Sequence, residues 1–125
     1  MKNKKTILLV EDDPFLTDIY QKKLKSSGFE VLLALDGEKA FEALAEKPVD
    51  LVLLDIVLPK MEGWTVISKI KENEKWKNIK VVFLSNLSQK EEVDKGMKLG
   101  ADRYLIKAQY TPSQVVKEIK ALLNQ

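Results

Sequence analysis

Five short apolar runs set the limits on how this chain can fold. They are Thr6 to Val10, Val31 to Ala34, Leu51 to Leu54, Val81 to Leu84 and Tyr104 to Ile106. Their apolar residues follow one another without polar alternation, the pattern of strands buried on both faces. Between the runs, apolar residues recur at helical spacing: Leu16, Ile19, Tyr20 and Leu24, then Ala40, Ala43 and Leu44, then Val66, Ile67 and Ile70, and last Val115, Ile119, Leu122 and Leu123. The stretch Gln89 to Leu99 is weakly apolar, and its expected anchors are Val93 and Met97. Strand and helix alternating five times predicts an α/β fold, a parallel sheet with helices on both faces joined by right-handed crossovers.

Local punctuation supports these segments. Asp13 is placed to cap the first helix, Pro14 fits its first position, and Gly28 ends it. Asp36 and Gly37 turn the chain into the second helix, which stops before Pro48. Pro59 and Gly63 mark an irregular loop after the third strand, Gly100 closes the fourth helix, and Thr111 with Pro112 opens the fifth. The lysine-rich piece Lys71 to Asn78, with Trp76 as its one large apolar residue, is expected to be a frayed helix end and loop.

At 125 residues the chain is one domain, 1–125, long enough to bury roughly two thirds of its unfolded surface. A composition 45% hydrophobic and 32% charged is too apolar for a disordered chain. The net charge is only +2 and the lysines are scattered among glutamates, so no footprint for nucleic acid or a membrane surface is expected. Cysteine and histidine are both absent, which excludes disulfides, thiolate or imidazole metal sites, and imidazole acid–base chemistry. The apolar run after the basic start ends at Val10, too short for a secretory signal, and no run approaches a membrane span. A cytoplasmic location is the default expectation.

The chemistry concentrates where the strands end. Glu11 and Asp12 follow the first strand, Asp55 the third, Ser85 the fourth and Lys107 the fifth. Each has an ordinary reading by itself, since acids cap helices, serines end strands and lysines are commonly solvated. In a parallel sheet, however, all five stand on one rim, and that rim is where such sheets bind ligands. Three crowded carboxylates repel by several kcal/mol per close pair at an effective dielectric of about 20, so they call for a cation. An all-oxygen site with few protein ligands suits Mg2+ better than calcium. A lysine ammonium and a serine hydroxyl opposite it can hold phosphoryl oxygens, which points to phosphoryl transfer.

These residues carry a resemblance. The pieces "ILLVEDDP", "DLVLLDIVLPKMEGW", "VVFLSN" and "LGADRYLIK", in this order and spacing, are similar to the receiver domains of two-component response regulators, chemotaxis-type single-domain regulators among them, over essentially the whole chain. The resemblance implies a flavodoxin-like sheet of order 2-1-3-4-5. It implies Asp55 as phosphoacceptor for a sensor histidine kinase or phosphotransfer protein. It further implies magnesium on Asp12, Asp55 and the Val57 carbonyl, with Glu11 acting through water. Lys107 and Ser85 would contact the phosphoryl group, and Ser85 and Tyr104 would form the switch. The expected output is a protein effector read by the face of helix 4, strand 5 and helix 5, with no direct nucleic-acid or membrane contact and a monomer or weak dimer. As an enzyme, the domain would act only on its own phosphorylation and dephosphorylation.

Three positions depart from the family pattern. Ala108 stands where proline usually follows the lysine, so a trans bond is expected. Asn86 replaces a small residue and narrows access. Val57 is apolar at a position that helps set phosphoryl lifetime, and together with Leu87, likewise apolar two residues past the serine, it implies a long-lived phosphorylated state. Among rival readings, a nucleotide-binding fold conflicts with the acidic first turn and the missing Gly-rich fingerprint. An aspartyl-phosphatase hydrolase conflicts with the lack of histidine and of a cap. A receiver-like scaffold that signals without phosphorylation is separated only by assay. The chain stops one helix after Lys107, so either a single-domain regulator or a receiver excised from a longer protein is expected.

Overall fold

Because successive residues of a strand point to opposite faces, uninterrupted apolar strands need cover on both sides. The computed structural model, which describes residues 4–125, supplies it. Strands β1 (Thr6–Val10), β2 (Glu30–Ala34), β3 (Leu51–Leu54), β4 (Lys80–Ser85) and β5 (Arg103–Ile106) form one sheet of order β2-β1-β3-β4-β5. Every neighbouring pair is parallel. The helices are α1 (Pro14–Ser26), α2 (Gly37–Glu46), α3 (Gly63–Glu72), α4 (Lys90–Lys98) and α5 (Pro112–Leu123).

Alternation sorts the core into two layers. Ile7, Leu9, Leu51, Leu53, Val82 and Leu84 pack with Tyr20 and Leu24 of α1 and with Val115, Val116 and Ile119 of α5. Leu8, Val10, Val52, Leu54, Val81 and Phe83 face the other way, onto Ala40 and Leu44 of α2 and Val66, Ile67 and Ile70 of α3. The fold class and strand order therefore agree with the expectation from sequence.

The caps are those the sequence suggested. Asp13 accepts hydrogen bonds from the Phe15 and Leu16 amides, and Thr111 with Gln114 forms a reciprocal capping box on α5. Gly28 and Gly100 adopt φ of +97° and +109°, conformations that side-chain-bearing residues rarely take. All peptide bonds among the described residues are trans, that before Ala108 included.

Three details differ from expectation. The fourth helix is not anchored by Met97, which is 44% exposed, and Val93 is only half-buried; its one buried residue is Gly96. A 3-10 turn, Lys107–Gln109, follows β5 and has no sequence signature. The piece after α3 is pinned and not frayed: Lys71 Nζ donates to the carbonyls of Lys77 (3.3 Å) and Ile79 (3.2 Å), and Trp76 stacks on Phe41.

Candidate functional site

Register brings the polar strand ends together. Val10 pairs with Leu54, so Glu11 and Asp55 emerge side by side, and the Asp55 amide donates to the Val10 carbonyl at 3.0 Å. Ser85 pairs with Ile106, which sets Lys107 immediately beyond it. The loop after Asp55 returns to α3 through Gly63, whose amide donates to the Ile56 carbonyl. A Cβ at Gly63 would run into the Asp55 carbonyl oxygen, so only glycine lets this loop lie against the site.

Carboxylate oxygens of Glu11, Asp12 and Asp55 all lie within 4.8 Å of one another. Lys107 Nζ stands 2.8 Å from Glu11 Oε1 and 2.9 Å from Asp55 Oδ2, bridging the two. The second Asp55 oxygen accepts from the Ile56 amide at 2.7 Å, and the second Glu11 oxygen from the Asp13 amide at 3.1 Å. Glu11 and Asp55 are buried, whereas Asp12 is exposed and makes no ion pair or hydrogen bond among the described residues.

Burial pushes the Glu11 pKa up, and the hydrogen bond from Lys107 only partly offsets it. Burial alone would pull Lys107 down, but its bonds to Glu11 and Asp55 outweigh that and the net shift is upward. Lys107 therefore stays a cation.

Ser85 is fully buried, its hydroxyl accepting from the Leu87 amide at 3.3 Å. Tyr104 donates to the Leu87 carbonyl at 2.6 Å, so residue 87 links the serine to the tyrosine. Burial, with the charges of Glu92 and Asp55, pushes the Tyr104 phenol up to about 12, and it remains a hydrogen-bond donor through the neutral range. The Val57 side chain is exposed beside the site, while that of Leu87 packs against the α2–α3 core layer. The interior packing of Leu87 distinguishes it from Val57 as a cover for the site.

The arrangement fits a hard divalent cation. Its donors are all oxygen, one carboxylate is unpartnered, and no hydrogen bond among the described residues takes the Val57 carbonyl. When ionised, three carboxylates against one ammonium leave the cluster negative. Sequence reasoning had assembled Glu11, Asp12, Asp55, Ser85 and Lys107 on one rim. It missed the Ile56 and Asp13 amides, which orient two of the carboxylates; backbone donors of this kind carry no residue-type signal.

The chain is similar to known proteins over most of its length. The chain is 37% identical over 124 residues to the alkaline phosphatase synthesis transcriptional regulatory protein PhoP of Bacillus subtilis, covering 97% of this chain and 49% of that protein. It thus spans about half the length of such curated relatives. A putative response regulator from Chloroflexus aurantiacus superposes with a TM-score of 0.91 at 25% identity, covering 98% of this chain and all (100%) of that one. The beryllofluoride-activated DrrB receiver domain gives 0.87 at 29% identity, with coverage of 98% and 100%. No helix among the described residues is long and apolar enough to cross a membrane. The response regulator receiver domain profile matches residues 7–120, and the chain belongs to that family.

Proposed function

We propose that this chain is a phosphoacceptor switch in which Asp55 takes a phosphoryl group from the phosphohistidine of a sensor kinase or phosphotransfer protein. The observation that carries the reading is the Asp55 carboxylate, buried at a strand end, fixed by the Ile56 amide and Lys107, and set within 4.8 Å of two further acids. An Asp55 oxygen forms the new bond to phosphorus as the donor's phosphorus–nitrogen bond breaks and the imidazole departs. Lys107 neutralises a phosphoryl oxygen, and the Ser85 hydroxyl donates to another. Asp12, Asp55 and the Val57 carbonyl would hold magnesium directly and Glu11 would do so through water. The metal supplies charge neutralisation for the crowded carboxylates and the incoming group.

Phosphorylation takes Asp55 from one negative charge to about two. Drawing Ser85 and Lys107 toward that charge moves residue 87, and with it the acceptor of the Tyr104 hydroxyl. The altered face is α4, β5 and α5, where a protein effector binds; the domain itself touches neither nucleic acid nor membrane. The test is phosphorylation by acetyl phosphate followed by intact mass. The parent should gain one phosphoryl group only with magnesium, and Asp55→Asn should gain none. Beryllofluoride should shift amide signals from Gln89 to Thr111. A full mass increase in Asp55→Asn would sink the assignment, and unchanged signals would sink the switch.

A further inference from the structure

We propose that the groove between α1 and α5 is a docking site for an acidic helical segment of a partner protein, separate from the α4–β5–α5 face. The groove has a volume of about 530 Å³ and is lined by Lys23 of α1, by Ser27 just past its end, by Ser113, Val116, Lys117 and Lys120 of α5, and by Gln125 beyond it. Among the described residues, no Asp or Glu side chain lines it. Lys23, Lys117 and Lys120 enter no ion pair among the described residues; lysines elsewhere, Lys47, Lys69 and Lys98 among them, are likewise unpaired, and what sets these three apart is that they line one groove. The chain as a whole carries only +2, so this is a local concentration of charge.

Geometry favours a segment over a small anion. Lys117 and Lys120 are three apart and share one face of α5, while Lys23 stands on the opposing wall. Lys23 and Lys120 are half-buried, with stems that can lie along the apolar floor at Val116 while their ammonium groups reach solvent. A single phosphate in an open groove meets these charges one at a time. A helix bearing carboxylates at i and i+4 can offer one to each wall at once, in the helix-in-groove mode of recognition. The proposal goes beyond the phosphoacceptor reading and does not depend on it, since both α1 and α5 are in place without phosphorylation.

Fluorescence anisotropy of a labelled synthetic helical peptide, with Glu at i and i+4 and Leu on its inner face, tests the idea on the 125-residue chain. One variant replaces Lys23, Lys117 and Lys120 with Gln; a control replaces the exposed, unpaired Lys47, Lys69 and Lys98 with Gln and so removes the same charge. The parent should bind, the groove variant should bind at least about tenfold more weakly, and the control should change less than about threefold. Lys117→Glu alone reports on the same groove should the triple variant prove unstable. Equal loss in both triple variants, no binding by the parent at low salt, or a stronger lysine-dependent preference for inorganic pyrophosphate or anionic phosphatidylglycerol vesicles would overturn the proposal.

Discussion

The Lys107 ammonium stands 2.8 Å from Glu11 Oε1 and 2.9 Å from Asp55 Oδ2, among the same carboxylates a divalent cation would use. Lysine and metal therefore compete before phosphorylation and cooperate after it, when the phosphoryl oxygens supply new negative charge. A unit charge about 5 Å from a divalent ion costs on the order of 2 kcal/mol even at the dielectric of water. Lys107→Ala should accordingly tighten magnesium binding by about tenfold, since each 1.4 kcal/mol is a factor of ten. It should also slow phosphorylation, because the transferred group loses its cation. Calorimetric titration with magnesium measures the first effect and intact mass against time the second. Weaker metal binding would mean that Lys107 organises the carboxylates more than it competes for them.

Among the elements, α4 is the one held by the least of its own substance. Its buried contact is Gly96, where a Cβ would approach Tyr104 Cδ2 to 2.8 Å and Phe83 Cδ2 to 3.1 Å. The Phe83 and Tyr104 rings lie 5.7 Å apart and Trp64 packs edge-on against Phe83, so the space beside Gly96 is filled by aromatics from β4 and β5. Alanine at position 96 gains about 1 kcal/mol of helix propensity but meets an overpacking cost of roughly 1–3 kcal/mol. Gly96→Ala should lower stability by on the order of 1 kcal/mol and push Tyr104 off the Leu87 carbonyl, as read by denaturant unfolding and by Tyr104 chemical shifts. An unmoved Tyr104 would show that the helix yields instead. This contact could not be read from sequence, because the group that fills the space belongs to another element; a local pattern search finds Val93 and Met97, the large residues, and misses the glycine. The main anchors of α1, α2, α3 and α5 were legible because those helices bury their own side chains, although in α5 the spacing passed over the buried Val116 and named Leu122 and Leu123, which are only partly buried. The rim was legible for a related reason, since parallel order alone brings strand ends together. The Lys107 bridge to Glu11 was not, because it depends on side-chain reach after a turn with no signature.

At the scale of the whole molecule, a sheet buried on both faces forms a stiff frame, with negative charge gathered at one rim. The apolar layers on either side of β1 and β3 fix Glu11 and Asp55 whether or not a cation is present. Repulsion at the rim is therefore borne by the folded state and relieved in the unfolded one, where the acids separate. Asp12 shows this most clearly, since it has no partner among the described residues. Replacing it with alanine removes repulsion from two close carboxylates and breaks no direct hydrogen bond or ion pair, so Asp12→Ala without magnesium should be at least as stable as the parent. Magnesium binds the folded state, and at a concentration a hundredfold above its dissociation constant it should add about 2.7 kcal/mol to the parent. For a domain of this size that is a rise in Tm on the order of 10 °C. Asp12→Ala should show little of that rise, so the two proteins exchange rank when magnesium replaces a chelator. Thermal melts in chelator and in magnesium decide the point. A full magnesium shift retained in Asp12→Ala would place the cation elsewhere, and a variant less stable than the parent in chelator would mean that Asp12 holds the fold in a way its lack of partners does not reveal.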